Sequence, residues 1–167
     1  MDALLEFRND LDIAGPSGSI RLEAPLPGPL VIVSGGTGGA QAWSLIDTLT
    51  KAPPDWPMGF LWCADDEPSL YLGDELQAMR LPWLHFEFVV DASRSADNRS
   101  MARLRELAPG FSSLLGPIAG NGNDIPKPQL LLAGSPGFVY AATDVLLSAG
   151  VQTEQMRSDV YGYAPRT

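Results

Sequence analysis

The sequence predicts an α/β fold: a three-layer, doubly wound, five-stranded parallel sheet with a short N-terminal β-hairpin ahead of it. Three observations carry this. Leu30-Val31-Ile32-Val33 is an apolar run, mostly β-branched, that suits a strand buried on both faces. Gly35, Gly36, Gly38 and Gly39 then suit a tight turn into a helical pattern over Ala40–Leu49. Further apolar runs alternate with helical periods to the end of the chain, as strand-helix-strand crossovers require.

Residues 1–29 differ from the rest and read as a hairpin and linker. Leu4-Leu5-Glu6-Phe7, Leu11-Asp12-Ile13 and Ser19-Ile20-Arg21-Leu22 are short extended segments, parted by the turn signals Asn9-Asp10 and Gly15-Pro16-Ser17-Gly18. A hairpin of this size is marginal alone, so it should pack on the main domain or pair with another chain. Ala24-Pro25-Leu26-Pro27-Gly28-Pro29 is a stiff linker, because prolines deny a strand ladder its donors.

Residues 30–167 form the main domain. Ala42, Trp43, Leu45, Ile46 and Leu49 recur at helical spacing, and Pro53-Pro54 stops that helix. Met58–Ala64 is a second buried strand that ends at Asp65-Asp66-Glu67; Leu72, Leu76 and Met79 mark a short helix. Trp83–Val90 is a third strand, rich in aromatic and β-branched residues, and Met101, Leu104 and Leu107 give a helix begun near Asp97–Ser100. Pro109–Pro128 shows no sustained period and reads as a long loop, either functional or mobile. Gln129–Ala133 is the fourth strand. Ser135 suits a helix N-cap, Pro136 the first helical position, and Gly150 the C-terminal stop of a helix whose apolar face is Phe138, Ala142, Val145, Leu146 and Ala149. Gln155–Tyr163 supplies the last strand.

Composition narrows the function. With 11 Lys and Arg against 20 Asp and Glu, a formal charge of −9, the chain lacks the basic face that a nucleic acid requires. No run approaches the roughly 18 apolar residues of a membrane span. The start, Met1–Glu6, has no basic region with an apolar segment behind it, which points to the cytoplasm. One cysteine, Cys63, cannot make an intrachain disulfide, an iron–sulfur cluster or a zinc ribbon, and one histidine, His85, cannot build a multi-histidine metal site. His85 reads as a buried or edge histidine satisfied by backbone, Cys63 as a small core hydrophobe, and Trp43 and Trp62 as core. The carboxylates Asp65, Asp66 and Glu67 read as a solvated loop rather than a hard-cation site, so no metal is expected. Ser34 and Ser135 lack an elbow motif, and no catalytic residue is assigned.

The candidate chemistry lies in the bare backbone of Ser34–Gly39. Glycines remove the Cβ atoms that would block an anion, so amide groups and the positive end of the next helix can meet a phosphate. The spacing Gly36-x-Gly38-x-x-Gln41 lacks the third glycine of the common dinucleotide fingerprint, and no Lys follows to make a P-loop. Alone, the turn is either a phosphate cradle or a tight connection. A second turn, Gly134-Ser135-Pro136-Gly137, lies beside it if the first and fourth strands are neighbours, at the switch in strand order where doubly wound sheets bind ligands.

Together, Gly35-Gly36-Thr37-Gly38, Ala133-Gly134-Ser135-Pro136-Gly137-Phe138 and the terminal Ser158-Asp159-Val160-Tyr161 resemble the pyridine-nucleotide-binding half of the ferredoxin–NADP reductase and flavin reductase superfamily, from about Leu30 to Tyr163. Leu11–Gly18 is similar to the last strands and loop of that family's flavin barrel, so residues 1–29 would be a remnant of it. The resemblance implies that Gly35, Gly36, Thr37 and Gly38 face the nucleotide pyrophosphate and that Ala133, Gly134, Ser135 and Pro136 flank the nicotinamide. Many members carry Cys where this chain has Ala133, although some flavin reductases have Ala. Where the family often has Gly-x-Arg, this chain has Cys63-Ala64-Asp65, a reversal of charge that favours NADH over NADPH and leaves Asp65 to accept from a ribose hydroxyl. Arg94 and Arg99 read as solvated, and Tyr161 and Tyr163 as packing that closes the last strand. The family's Arg-x-aromatic-Ser/Thr flavin motif does not occur in the sequence, so FAD or FMN would enter only through a partner or as free substrate. The expected function is an NAD(P)H-binding module of a flavin-dependent oxidoreductase, with a flavin-domain partner or a homodimer through residues 1–29. The alternative is a non-catalytic relative kept as an interaction or regulatory subunit.

Overall fold

A computed structural model of the chain describes residues 20, 25–93, 98–116 and 125–166. The hairpin expected in residues 1–29, and Arg94, lie outside the described residues. The linker's end does not stand clear of the domain. Leu26 is buried in the same cluster as Leu30 and Ile32, and the Pro29 carbonyl accepts from the Gln129 amide.

Among the described residues the sheet has five strands, all parallel, in the order β3-β2-β1-β4-β5: β1 Leu30–Gly35, β2 Met58–Ala64, β3 Leu84–Val90, β4 Gln129–Ala133 and β5 Met156–Arg157. The helices are α1 Gly39–Lys51, α2 Gly73–Met79, α3 Arg99–Leu107, α4 Ser112–Leu115, α5 Pro136–Ser148 and α6 Val160–Tyr163. The alternation of β1 explains the layers. Leu30 and Ile32 face one way, into a cluster with Ala42 and Ile46 of α1, Leu76 of α2 and Phe60 and Trp62 of β2. Val31 and Val33 face the other way, into a cluster with Met101 and Leu104 of α3 and Val139, Ala142 and Leu146 of α5. A strand covered on both faces has no polar side to show, hence the unbroken apolar run.

Local signals act as expected along α5. Ser135 accepts from the Phe138 amide as N-cap, Pro136 begins the helix, and Gly150 leaves it with φ 87°. In α3, Asn98 caps by accepting from the Met101 amide. Cys63 and Trp62 are buried, and His85 is exposed on the edge strand β3.

Two expectations are corrected. The last strand is not Gln155–Tyr163: β5 is only Met156–Arg157, and the chain then coils into α6. Tyr161 therefore sits on a helix, its hydroxyl hydrogen-bonded with Thr143 of α5, and Tyr163 is exposed, so neither closes a strand. The stretch 109–128 also contains α4, because Phe111, Leu114 and Leu115 bury themselves against the sheet. Four residues are too few to display a period in sequence.

Candidate functional site

The switch in strand order falls between β1 and β4, which pair in register from Leu30 with Gln129 to Ser34 with Ala133. Their C-terminal turns therefore meet. A β-carbon on Gly38 would lie 2.5 Å from the Ala133 carbonyl oxygen, and one on Gly134 would lie 2.9 Å from the Gly35 carbonyl oxygen. Gly134 also holds φ 141°, which an L side chain rarely adopts. The two turns touch backbone to backbone.

Gly36–Gly38 forms one turn of 3-10 helix that runs straight into α1. At its junction with α1 the Gly39 amide reaches back to the carbonyls of Gly36 and Thr37. No side chain among the described residues caps either helical segment. Carbonyls, by contrast, are held from within. Ser34 Oγ donates to the Gly38 carbonyl at 3.3 Å, and the Trp62 indole Nε1 donates to the Gly36 carbonyl at 2.9 Å. Ser34 is thereby a brace of the turn and no nucleophile. Gly36 has φ 51° and open space where a β-carbon would stand.

A cleft of about 250 Å³ opens here, with Gly35, Gly36 and Thr37 on one side and Ser135 and Phe138 on another. The far wall comes from the ends of β2 and β3, the 3-10 turn Glu67–Ser69 and the start of α3: Cys63, Ala64, Asp65, Ser69, Asp91, Asn98 and Ser100. Of the residues singled out in the sequence, the structure brings Gly35, Gly36, Thr37, Asp65 and Ser135 to this one cleft. Gly38 and Ala133 are buried behind it, Gly134 is wedged between the turns, and Pro136 is exposed on the first turn of α5.

Sequence reasoning missed Asp91, Asn98, Ser100 and Phe138. The Phe138 ring covers the bare α-carbons of Gly35 and Gly134, so one side chain spans both turns. Asp91 accepts from the amides of Ser93 and Arg99, bonds that hold its carboxyl below the usual carboxylate range. Its position two turns of sequence away from α3 gave no local signal. Cys63 is no thiolate: burial pushes its pKa up to about 11, against a hydrogen bond to Ser100 that lowers it. Beyond the 3-10 turn Glu67–Ser69 lies a second groove of about 630 Å³, whose walls include Tyr71, Phe88, Glu67 and Asp74. Among the described residues no group of His, Cys, Asp and Glu is gathered to hold a metal, and no helix is long and apolar enough to cross a membrane.

No protein-family model matches the chain. It is 25% identical over 161 residues to terephthalate 1,2-dioxygenase, reductase component 2, of Comamonas sp, covering 96% of this chain and 46% of that protein. It is 26% identical to the propane 2-monooxygenase reductase component of Mycolicibacterium smegmatis, over 96% of this chain and 45% of that one, and 28% identical to the NAD(P)H-flavin reductase of Vibrio harveyi, over 53% and 38%. The chain thus spans about half the length of the curated relatives it matches. In fold it is similar to the cytochrome b5 reductase domain of Ulva prolifera nitrate reductase, with TM-score 0.62, 14% identity and coverage of 95% of this chain and 63% of that one. A flavohemoglobin of Malassezia yamatoensis superposes with TM-score 0.58 at 18% identity, over 92% and 39%. The chain is thus similar in sequence to reductase components and NAD(P)H-flavin reductases, and in fold to a cytochrome b5 reductase domain.

Proposed function

We propose that the chain is the NADH-binding module of a flavin-dependent oxidoreductase, passing electrons to a flavin carried by a partner or free in solution. The observation that carries this is the meeting of the two turns at the switch point, with Gly36 and Thr37 lining an open cleft. The corner fits a diphosphate. Gly36 has no atom within 4 Å of where a β-carbon would be, so a ligand can approach the backbone itself.

In this reading Gly35, Gly36 and Thr37 receive the diphosphate and Gly38 supports them from behind. Ala133, Gly134, Ser135 and Pro136 flank the nicotinamide, and Phe138 walls off water beside it. Asp65, exposed at the cleft, accepts from a ribose hydroxyl and repels a 2′-phosphate, which favours NADH over NADPH. NADH, when bound, supplies a hydride; the flavin that takes it is FAD or FMN held outside this module. The partner is a flavin-bearing domain, or a second copy joined through residues 1–29, in the cytoplasm. The similarity to reductase components of oxygenases supports such a division of labour.

Calorimetric titration with NADH and NADPH, followed by absorbance at 340 nm with added FMN, tests the reading. The expected result is tighter binding of NADH and its oxidation once flavin is supplied. No heat with either nucleotide at millimolar concentration overturns it in favour of a non-catalytic subunit.

A further inference from the structure

We infer that Trp62 is the positioning residue of the diphosphate corner: its indole N–H fixes the Gly36–Thr37 peptide so that the Thr37 amide faces the ligand. This rests on the NADH-binding reading of the same cleft. The geometry starts from one bond. Trp62, on β2 and wholly buried, donates from Nε1 to the Gly36 carbonyl at 2.9 Å, and the Gly39 amide donates to the same oxygen. In a planar trans peptide the carbonyl and the next N–H point in opposite directions. With the Gly36 oxygen drawn in toward the indole, the Thr37 N–H is turned away from it, to the side where Gly36 and Thr37 line the cleft.

The indole is itself held. It stacks on Phe60 at 5.8 Å and meets Tyr71 and Phe88 edge-on at 5.3 and 6.0 Å between ring centroids. On its other side it lies against the bare α-carbon of Gly39, where any β-carbon would collide with the ring. A ring fixed on these sides gives its N–H a single direction. The signal was hidden in sequence, because a tryptophan inside an apolar strand looks like packing and nothing more.

The test compares the wild-type chain with Trp62→Phe, which keeps an aromatic ring in that box and removes the N–H. Calorimetry with ADP-ribose, which carries the diphosphate without redox chemistry, should show about tenfold weaker binding to the variant, the loss expected of one misaimed amide bond to an anion. Adenosine, which has no phosphate, should bind both alike. In ¹⁵N-labelled wild type, added ADP-ribose should move the Thr37 amide and the Trp62 indole N–H resonances along one saturation curve. Those of Trp56 and Trp83, at the opposite ends of the strands, should stay in place. This second arm needs no variant and decides the matter if Trp62→Phe does not fold. Equal ADP-ribose affinity in the two proteins, an equal loss of adenosine, or a Trp62 resonance that ignores the ligand overturns the role of Trp62 and leaves the NADH reading intact. No binding of ADP-ribose or NADH by the wild type overturns both.

Discussion

Gly38 and Ala133 meet so closely that a β-carbon on Gly38 would stand 2.5 Å from the Ala133 carbonyl oxygen. That oxygen belongs to a paired strand end and cannot swing aside as a flexible side chain could. Gly38→Ala should therefore push the β1 and β4 turns apart, costing roughly 1–3 kcal/mol as overpacking does. Urea denaturation measures the loss of stability, and calorimetry should show NADH binding reduced with it.

Asp65 lies exposed on the cleft wall contributed by β2. Replacing it by Arg reverses the local charge, and each unit of charge change is worth roughly 1 kcal/mol at such separations. Asp65→Arg should thus shift the ratio of NADPH to NADH dissociation constants about tenfold or more toward NADPH. Titration of the wild type and the variant with both nucleotides checks this, and an unchanged ratio would remove Asp65 from the ribose site.

Cys63 carries a testable pH signature. Its thiol ionises at 9.0 in the unfolded chain and at about 11 in the fold, because burial disfavours the thiolate. Ionisation therefore favours unfolding: the contribution is complete below 9.0 and is lost as pH rises to about 11. The loss should amount to roughly 2–3 kcal/mol. Alkylation at pH 8 should be slow in the native protein and fast in denaturant, and Cys63→Ala should flatten the alkaline limb of the stability curve.

Arg103 on α3 makes a two-pronged bond to Glu87 of the edge strand β3, at 2.6 and 2.9 Å, and a third to Glu106. The partners are about one-third exposed, so the pair is screened. Arg103→Met should cost about 0.5–1 kcal/mol, less in high salt. Denaturant midpoints at two ionic strengths measure it.

The chain's end is tied back to α5. Arg166 pairs with both oxygens of Asp144 and lies 4.4 Å above the Tyr140 ring, whose hydroxyl donates to the Ala164 carbonyl. The arginine holds the Asp144 carboxyl below its ordinary 3.8, so the tie is present above that pH and is lost as pH falls through the lower folded value. Tyrosine signals in near-ultraviolet circular dichroism should report release of the tail in acid, and Asp144→Asn should release it at neutral pH.

The parts of this fold legible in sequence were those set by local rules. The two-sided burial of Leu30–Val33 and the Ser135, Pro136 and Gly150 signals of α5 follow from neighbours in the chain. The last strand misled for a physical reason. Met156, Ser158 and Val160 are all buried, an alternation of period two, yet the amides of Tyr161 and Gly162 turn back to Ser158 and Asp159 and begin a helix. At the site, glycines announced where backbone is bare, but not what holds it. The Trp62 bond to Gly36 spans 26 residues, and the Phe138 ring reaches back a hundred residues to Gly35, so no window of sequence contains either.

The crowding at this corner has a historical corollary. Gly38, Gly39 and Gly134 are hemmed by a carbonyl, an indole and a neighbouring chain segment, so steric need alone forbids larger residues there, whether or not anything ever docks. A descendant that had abandoned its ligand would still have to spell these positions with glycine to keep its shape. Gly36, roomy on its outer side, is the place where abandonment would leave a mark, since an asparagine tolerant of its left-handed backbone would meet no obstacle.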